Sequence, residues 1–182
     1  MASSTDFVEL HCRSAFTFLD GASLPEDLVA AAADLGHDTL ALADRDGLYG
    51  APRFYKAAQA AGLRAIVGSD ISIREDSPPC HASRIALDHS RACLRGESSS
   101  FLLLLVENRE GYKNLCKLLT RGKLAHSKGE ASVTLDDLEE FSSGLFSIVC
   151  RSCIVSSPVD RIVGIFGRDR TAIEIQRHFA ED

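Results

Sequence analysis

Apolar residues along this chain recur at two spacings, and the spacing switches at short intervals. Phe7 to Leu10 is a brief apolar run that predicts a short buried strand. Leu28, Val29, Ala32 and Leu35 then follow helical spacing. Ser23-Leu24-Pro25-Glu26 reads as a capping box with proline in the first turn, and Gly36 stops the helix. Thr39 to Ala43 predicts a second strand. Pro52 opens a second helix carrying Phe54, Tyr55, Ala58 and Ala61, which stops at Gly62. Arg64 to Ile73 holds a third strand. This β-α-β-α-β order with short loops predicts a parallel sheet with helices outside it.

Residues 74–100 break the rhythm with Pro78-Pro79 and the polar run Gly96 to Ser100, and are read as a surface insertion. Phe101 to Val106 is wholly apolar, as expected of a strand buried on both faces. Helices are predicted from Gly111 to Leu119, from Thr134 to near Gly144 and from Pro158 to Phe166. Strands are predicted at Leu145 to Cys150 and Thr171 to Ile175. The sum is about six strands and five helices in one α/β domain over residues 1–182. A closed (βα) barrel needs more chain than this. The expectation is therefore an incomplete, distorted (βα) barrel of mostly parallel strands with outer helices. Its last strand would present an unpaired edge.

Composition narrows the function classes. The chain has 182 residues, 45% hydrophobic, enough for one substantial core. A formal charge of -6 argues against strong direct DNA binding through a global positive field. The first residues lack a basic start followed by an apolar run, and Phe101 to Val106 is too short to span a membrane. Six scattered cysteines read as reduced thiols in a cytoplasmic protein.

Polar residues gather where the predicted strands end. His11, Arg13, Asp20, Asp44, Arg45, Asp46 and Asp70 all map to C-terminal strand ends, where parallel (βα) folds assemble their sites. Carboxylates and imidazoles so placed can hold metal ions for phosphoester hydrolysis. Arg13 and Arg45 cannot ligate, because guanidinium stays protonated and has no available lone pair. His11 is the one imidazole of the group, and His11, Asp20 and Asp70 are the candidate metal ligands among it. A salt-bridged rim is the favoured reading, and no residue is assigned a catalytic role.

Glu9-Leu10-His11-Cys12-Arg13-Ser14, Leu19-Asp20-Gly21-Ala22-Ser23 and Asp44-Arg45-Asp46-Gly47-Leu48-Tyr49-Gly50 resemble the first motifs of the PHP (polymerase and histidinol phosphatase) domain. Glu107 to Leu115, Ile165 to Asp169 and Glu174 to His178 extend the resemblance. It is to the N-terminal PHP domain of bacterial C-family DNA polymerases, of the DNA polymerase III alpha-subunit type and its error-prone branch. The resemblance implies a truncated PHP domain that continues beyond residue 182 in full-length relatives. It also implies His where Arg13 and Arg45 stand, and Glu where Asp70 stands, so this copy of the site is vestigial. No resident cofactor is then expected, and zinc or manganese would be held weakly. Magnesium would belong to polymerase domains absent from this chain. The implied partners are those domains, DNA template-primer, and replication and repair proteins. The implied role is a structural, non-catalytic part of an enzyme of replication or translesion repair synthesis. A metal-dependent phosphoesterase and a drifted stand-alone interaction protein are the alternatives.

Other signals are weaker. Cys150-Arg151-Ser152-Cys153 lacks the second ligand pair of a zinc site and reads as structural thiols. Cys80, His81, His89 and Cys93 fit no common zinc module. Cys12 beside His11 would point to the opposite face of a strand. His178 reads as polar surface. Lys113, Lys117, Arg121 and Lys123 read as a solvated helix face rather than a nucleic-acid contact.

Overall fold

The computed structural model describes residues 7–74, 100–150 and 159–175. Strands β1 (Glu9–Cys12), β2 (Thr39–Arg45) and β3 (Arg64–Ile73) pair in parallel, with α1 (Pro25–Asp34) and α2 (Ala51–Ala61) as crossovers. Strand β4 (Ser100–Val106) pairs antiparallel with β3 and with β5 (Leu145–Val149), and β6 (Thr171–Ile173) pairs parallel with β5. Strand order therefore follows chain order, β1 through β6. Only β4 runs against the others. Helices α3 (Arg109–Leu124), α4 (Leu135–Phe141) and α5 (Val159–Phe166) complete the described elements. The result is a mixed half-barrel with outer helices.

Alternation along the strands builds two apolar layers. Ala41, Ala43, Leu103, Leu105, Ile148 and Cys150 pack on the inner, concave side of the sheet. Leu40 and Leu42 face outward onto Val29, Ala32, Phe54 and Ala58 of α1 and α2. Leu102 and Leu104 face outward onto Leu115, Leu118, Leu138 and Phe166. Strand β4 is thus buried on both faces, as its apolar run predicts, although it is antiparallel to both neighbours. Each such leucine contributes about 1.5–3 kcal/mol relative to exposure. The small inner residues Ala41 and Ala43 leave room at the concave side for the curl of the sheet. His11 on β1 hydrogen-bonds Glu174 just past β6 at 2.8 Å, so the two outermost strands meet through side chains. Among the described residues β6 pairs only with β5, so the expected unpaired strand edge is present, and this side-chain bond is the link across it.

Local departures have local causes. The capping box expected at Ser23 does not form. Leu24 is the N-cap of α1 and makes no side-chain cap bond. Glu26, the residue that would reach back, is held 2.6 Å from Arg53 of α2, and the Ser23 carbonyl accepts from Ala15 N–H. A capping box does form at Thr134 and Asp137, opening α4. Helix α3 is longer than expected at both ends. Asn108 caps it by accepting from Gly111 N–H, and it runs on to Leu124. Strand β1 is shifted two residues later, and β6 stops at Ile173. Most of the 74–100 insertion, the Cys80, His81, His89, Cys93 group, Cys153 and His178 lie outside the described residues.

Candidate functional site

Two buried carboxylates lie on opposite faces of adjacent strands. Asp44 continues the outward face of β2, beyond Leu40 and Leu42, whereas Asp70 points inward from β3, opposite Leu103. Both are almost fully shielded from water.

Asp44 sits in a cradle of neutral donors. Its Oδ1 accepts from Ser14 N–H and Ser14 Oγ at 2.8 Å and from Thr17 Oγ1 at 3.0 Å. Its Oδ2 accepts from Gly50 N–H at 3.1 Å. A Cβ at residue 50 would stand 2.6 Å from Asp44 Oδ2, so only glycine lets the start of α2 approach this closely. Thr17 Oγ1 also accepts from Arg45 N–H at 3.1 Å, tying the β1–α1 loop to the end of β2.

Asp70 is neutralised by charge instead. Arg13 Nη2 donates to Asp70 Oδ2 at 2.6 Å and contacts His11 Nε2 at 3.2 Å. Arg13 Nη1 lies 3.5 Å from Asp20 Oδ2, and Arg45 Nη2 lies 2.6 Å from the same oxygen. Asp20 is therefore the hub that joins both arginines. The Arg45 guanidinium stacks 4.5 Å above the Phe101 ring. Arg13 Nε, Arg45 Nε and Asp70 Oδ1 are buried without hydrogen-bond partners, so the lattice is not fully saturated.

His11 links this lattice to the far edge of the sheet. Nδ1 meets Glu174, while Nε2 faces Arg13 and lies 3.7 Å from Asp70 Oδ2. Burial by itself would lower the imidazole pKa. Hydrogen bonding and charge from Asp70, then Glu174, outweigh burial and raise it above the ordinary value. Asp46, at φ 47°, accepts from Ser72 N–H at 2.8 Å and Ser72 Oγ at 2.7 Å. Burial pushes its carboxyl pKa up, more than those hydrogen bonds pull it down. Cys12 is likewise pushed up, by burial first and then by Glu9 and Asp44.

The seven residues expected at strand ends thus divide. His11, Arg13, Asp20, Arg45 and Asp70 form one lattice. Asp44 belongs to the outer face and Asp46 to a separate bond with Ser72. Sequence reasoning did not pick out Ser14 and Thr17, or Glu174 as a site member. Hydroxyls at positions 14 and 17, just past a strand that precedes a buried Asp, were the available signal for the first two. In the basic run of α3, Arg121 is paired with Asp137 and Glu140, and Lys123 lies over the Tyr49 ring.

A two-ion centre does not fit these residues. The Arg13 guanidinium stands between Asp20 and Asp70, where shared metal ligation would be needed, and Arg45 takes the same Asp20 oxygen; neither offers a lone pair. A different trio, His11, Cys150 and Glu174, has one ligand atom each within 4.8 Å of one another. The Cys150 thiol is pushed far up by burial, then by its hydrogen bond to Glu174 and the charge of Asp70. With no cation bound this favours the neutral thiol, and a metal would have to displace its proton. The trio has donors for one ion at most.

Known proteins share both sequence and fold. The PHP domain family matches residues 9–178. The error-prone DNA polymerase of Cutibacterium acnes is 36% identical over 189 residues, covering 96% of this chain and 16% of that one. That of Rhodopirellula baltica is 34% identical over 141 residues, covering 78% and 10%. The chain thus spans about a sixth or less of these relatives. Among solved structures, a protein classed as a metal-dependent phosphoesterase from Bifidobacterium adolescentis superposes with a TM-score of 0.61 at 12% identity, covering 94% of this chain and 78% of that one. An amidohydrolase from Chromobacterium violaceum gives 0.54, also at 12% identity, covering 91% and 75%. The family match across nearly the whole chain agrees with the half-barrel and with the strand-end motifs: the chain belongs to the PHP domain family and is homologous to the N-terminal region of error-prone DNA polymerases.

Proposed function

We propose that this chain serves as a non-catalytic structural module of an error-prone C-family DNA polymerase, acting in replication or translesion repair synthesis. Its partners in this reading are the other polymerase domains and, through them, primed DNA. One observation carries the non-catalytic half of the proposal. Arg13 bridges Asp20 and Asp70 and Arg45 adds a second guanidinium on Asp20, so fixed positive charge stands where divalent ions would otherwise neutralise these carboxylates. Such a site holds its shape without metal and has no activated water to deliver.

Three measurements test it. Metal content after equilibration with zinc or manganese and dialysis should fall well below one equivalent. Hydrolysis of p-nitrophenyl phosphate should not exceed the metal-only rate. The Arg13→His/Arg45→His variant should gain bound metal, because two imidazoles replace two non-ligands. Tight stoichiometric metal with phosphatase turnover in the unsubstituted chain would establish the phosphoesterase reading instead. The His11, Cys150 and Glu174 trio is what favours that second reading.

A further inference from the structure

Among the described residues, the β1–α1 connection carries two adjacent large apolar side chains that stand almost wholly in water. Phe18 is 87% exposed and Leu19 is 95% exposed, with Phe16 and Leu24 partly exposed on either side. Loops that wave in solvent are usually polar and loosely bonded. This one is neither. It is closed at its base by Ala15 N–H donating to the Ser23 carbonyl at 2.8 Å. Asp20 N–H and Gly21 N–H both donate to the Thr17 carbonyl, folding the tip into a tight turn. Thr17 itself is buried and bonded to Asp44. A Cβ at residue 21 would lie 1.9 Å from the Ser14 carbonyl oxygen, so the turn is packed directly onto its own base. Leu19 is held at φ 70°, a conformation an exposed leucine avoids unless its surroundings impose it.

The arginine lattice imposes it. Asp20, the residue after Leu19, is the acceptor shared by Arg13 and Arg45. The charges that replace a metal centre therefore also brace the tip of this loop. Strain and exposed apolar area, fixed together by a partly exposed ion-pair network and by the buried Thr17, mark a surface prepared for contact: a preorganised anchor loses little entropy on docking.

Resting on the reading of this chain as a polymerase module, we infer that Phe18 and Leu19 form a docking knuckle for the polymerase portion of the same enzyme. The receiving surface would be an apolar pocket on that portion. Two observations choose this occupant. The Cutibacterium acnes relative carries the matched region as only 16% of its length, so a much larger body is available to cover it. The cations around the loop, Arg13, Arg45 and Arg53, are each paired with Asp20, Asp70 or Glu26. A neutralised apolar tip suits a protein pocket and offers little to DNA phosphates.

The test is side-chain footprinting by hydroxyl radicals, read by mass spectrometry. The 182-residue chain is compared with a chimera in which it replaces the matched region of the Cutibacterium acnes error-prone DNA polymerase. Modification of Phe18 and Leu19 should fall at least severalfold in the chimera, while Leu35, exposed at the other end of α1, should not change. If other surfaces are protected and the knuckle is not, the inference is overturned and the polymerase-module reading stands. If nothing is protected, both fail. Protection that appears only when primed DNA is added would make DNA the occupant and overturn the inference. A second measurement does not depend on the chimera assembling. In the full-length Cutibacterium acnes enzyme, serine is placed at the two positions aligned with Phe18 and Leu19. The variant should melt with its PHP region as a separate, earlier transition. An unchanged melting profile would overturn the inference.

Discussion

The two buried carboxylates of this half-barrel are kept in opposite ways. Asp44, on the helix side, receives four neutral donors, from Ser14 N–H, Ser14 Oγ, Thr17 Oγ1 and Gly50 N–H. Asp70, on the concave side, depends on one guanidinium, with the His11 imidazole 3.7 Å away, and keeps an oxygen without a partner among the described residues. The first arrangement is local and saturated. The second is long-range, charged and incomplete. The difference teaches that the manner in which a buried carboxylate is neutralised sets what its loss costs. Hydrogen bonds to a charged acceptor strand every donor when the acceptor is removed. A single ion pair strands one charge, and partial solvent access softens that penalty.

The largest effect should come from the saturated site. Asp44→Ala orphans several buried donors and should cost roughly 3–5 kcal/mol, or abolish folding, as read by urea denaturation. A loss below about 1 kcal/mol would show that water replaces the carboxylate easily, and the contrast would collapse. Arg13→Ala should come next. It leaves Asp70 buried and uncompensated, at about 2–3 kcal/mol once the partial exposure of Arg13 is allowed for. A double-mutant cycle sharpens this: adding Asp70→Ala should return at least about 1 kcal/mol. If the two losses simply add, the pair is not the reason Asp70 is tolerated.

Arg45 should matter less to stability than Arg13. Its partner Asp20 is 36% exposed and Arg45 itself 35% exposed, so the pair is solvent-screened. Arg45→Ala should cost about 1 kcal/mol or less, including lost stacking on Phe101, yet more than Lys123→Ala on the surface of α3. Equal losses from the Arg13 and Arg45 variants would shift the weight of the lattice onto Asp20. The smallest effect is pH dependence. The folded-state pKa of His11 is raised, so its stabilising contribution is complete below the unfolded value of about 6.5 and is lost as pH rises through the folded value. Unfolding free energy should therefore decline as pH rises above about 6.5, and His11→Gln should flatten that decline. A His11→Gln profile parallel to that of the unsubstituted chain would remove the imidazole from the lattice. Asp46, also raised, acts with the same sign, so the His11→Gln comparison is what isolates the imidazole.

Much of this could be read along the chain because it rests on near neighbours. Helical spacing in 28–35 and the apolar run in 101–106 report burial directly, since side-chain period follows backbone geometry. The capping signal at Ser23 misled because Glu26 has a stronger partner in Arg53, 27 residues away. At Thr134 the box forms although Asp137 also meets Arg121, because Oδ2 takes the cap bonds while Oδ1 faces the guanidinium. The direction of β4 was not legible either. An apolar strand buried on both faces looks the same in a parallel and an antiparallel ladder, and only pairing decides between them.

By itself, the sequence determined the order of elements, the apolar layers, the family motifs and the presence of two non-ligating arginines among the strand-end carboxylates. Those follow from periodicity and from the fixed chemistry of side chains. The tertiary structure alone decided which carboxylate meets which cation. Neighbouring residues on a strand face opposite sides, so Asp44 and Arg45 parted company while Arg45 came onto the face of Asp70. It also decided that Asp20 would be shared, that His11 would reach Glu174 across 163 residues, and that Phe18 and Leu19 would stand in water on a braced loop. Contacts between distant segments are fixed by the curl of the sheet and the packing of its two faces, which no local pattern encodes.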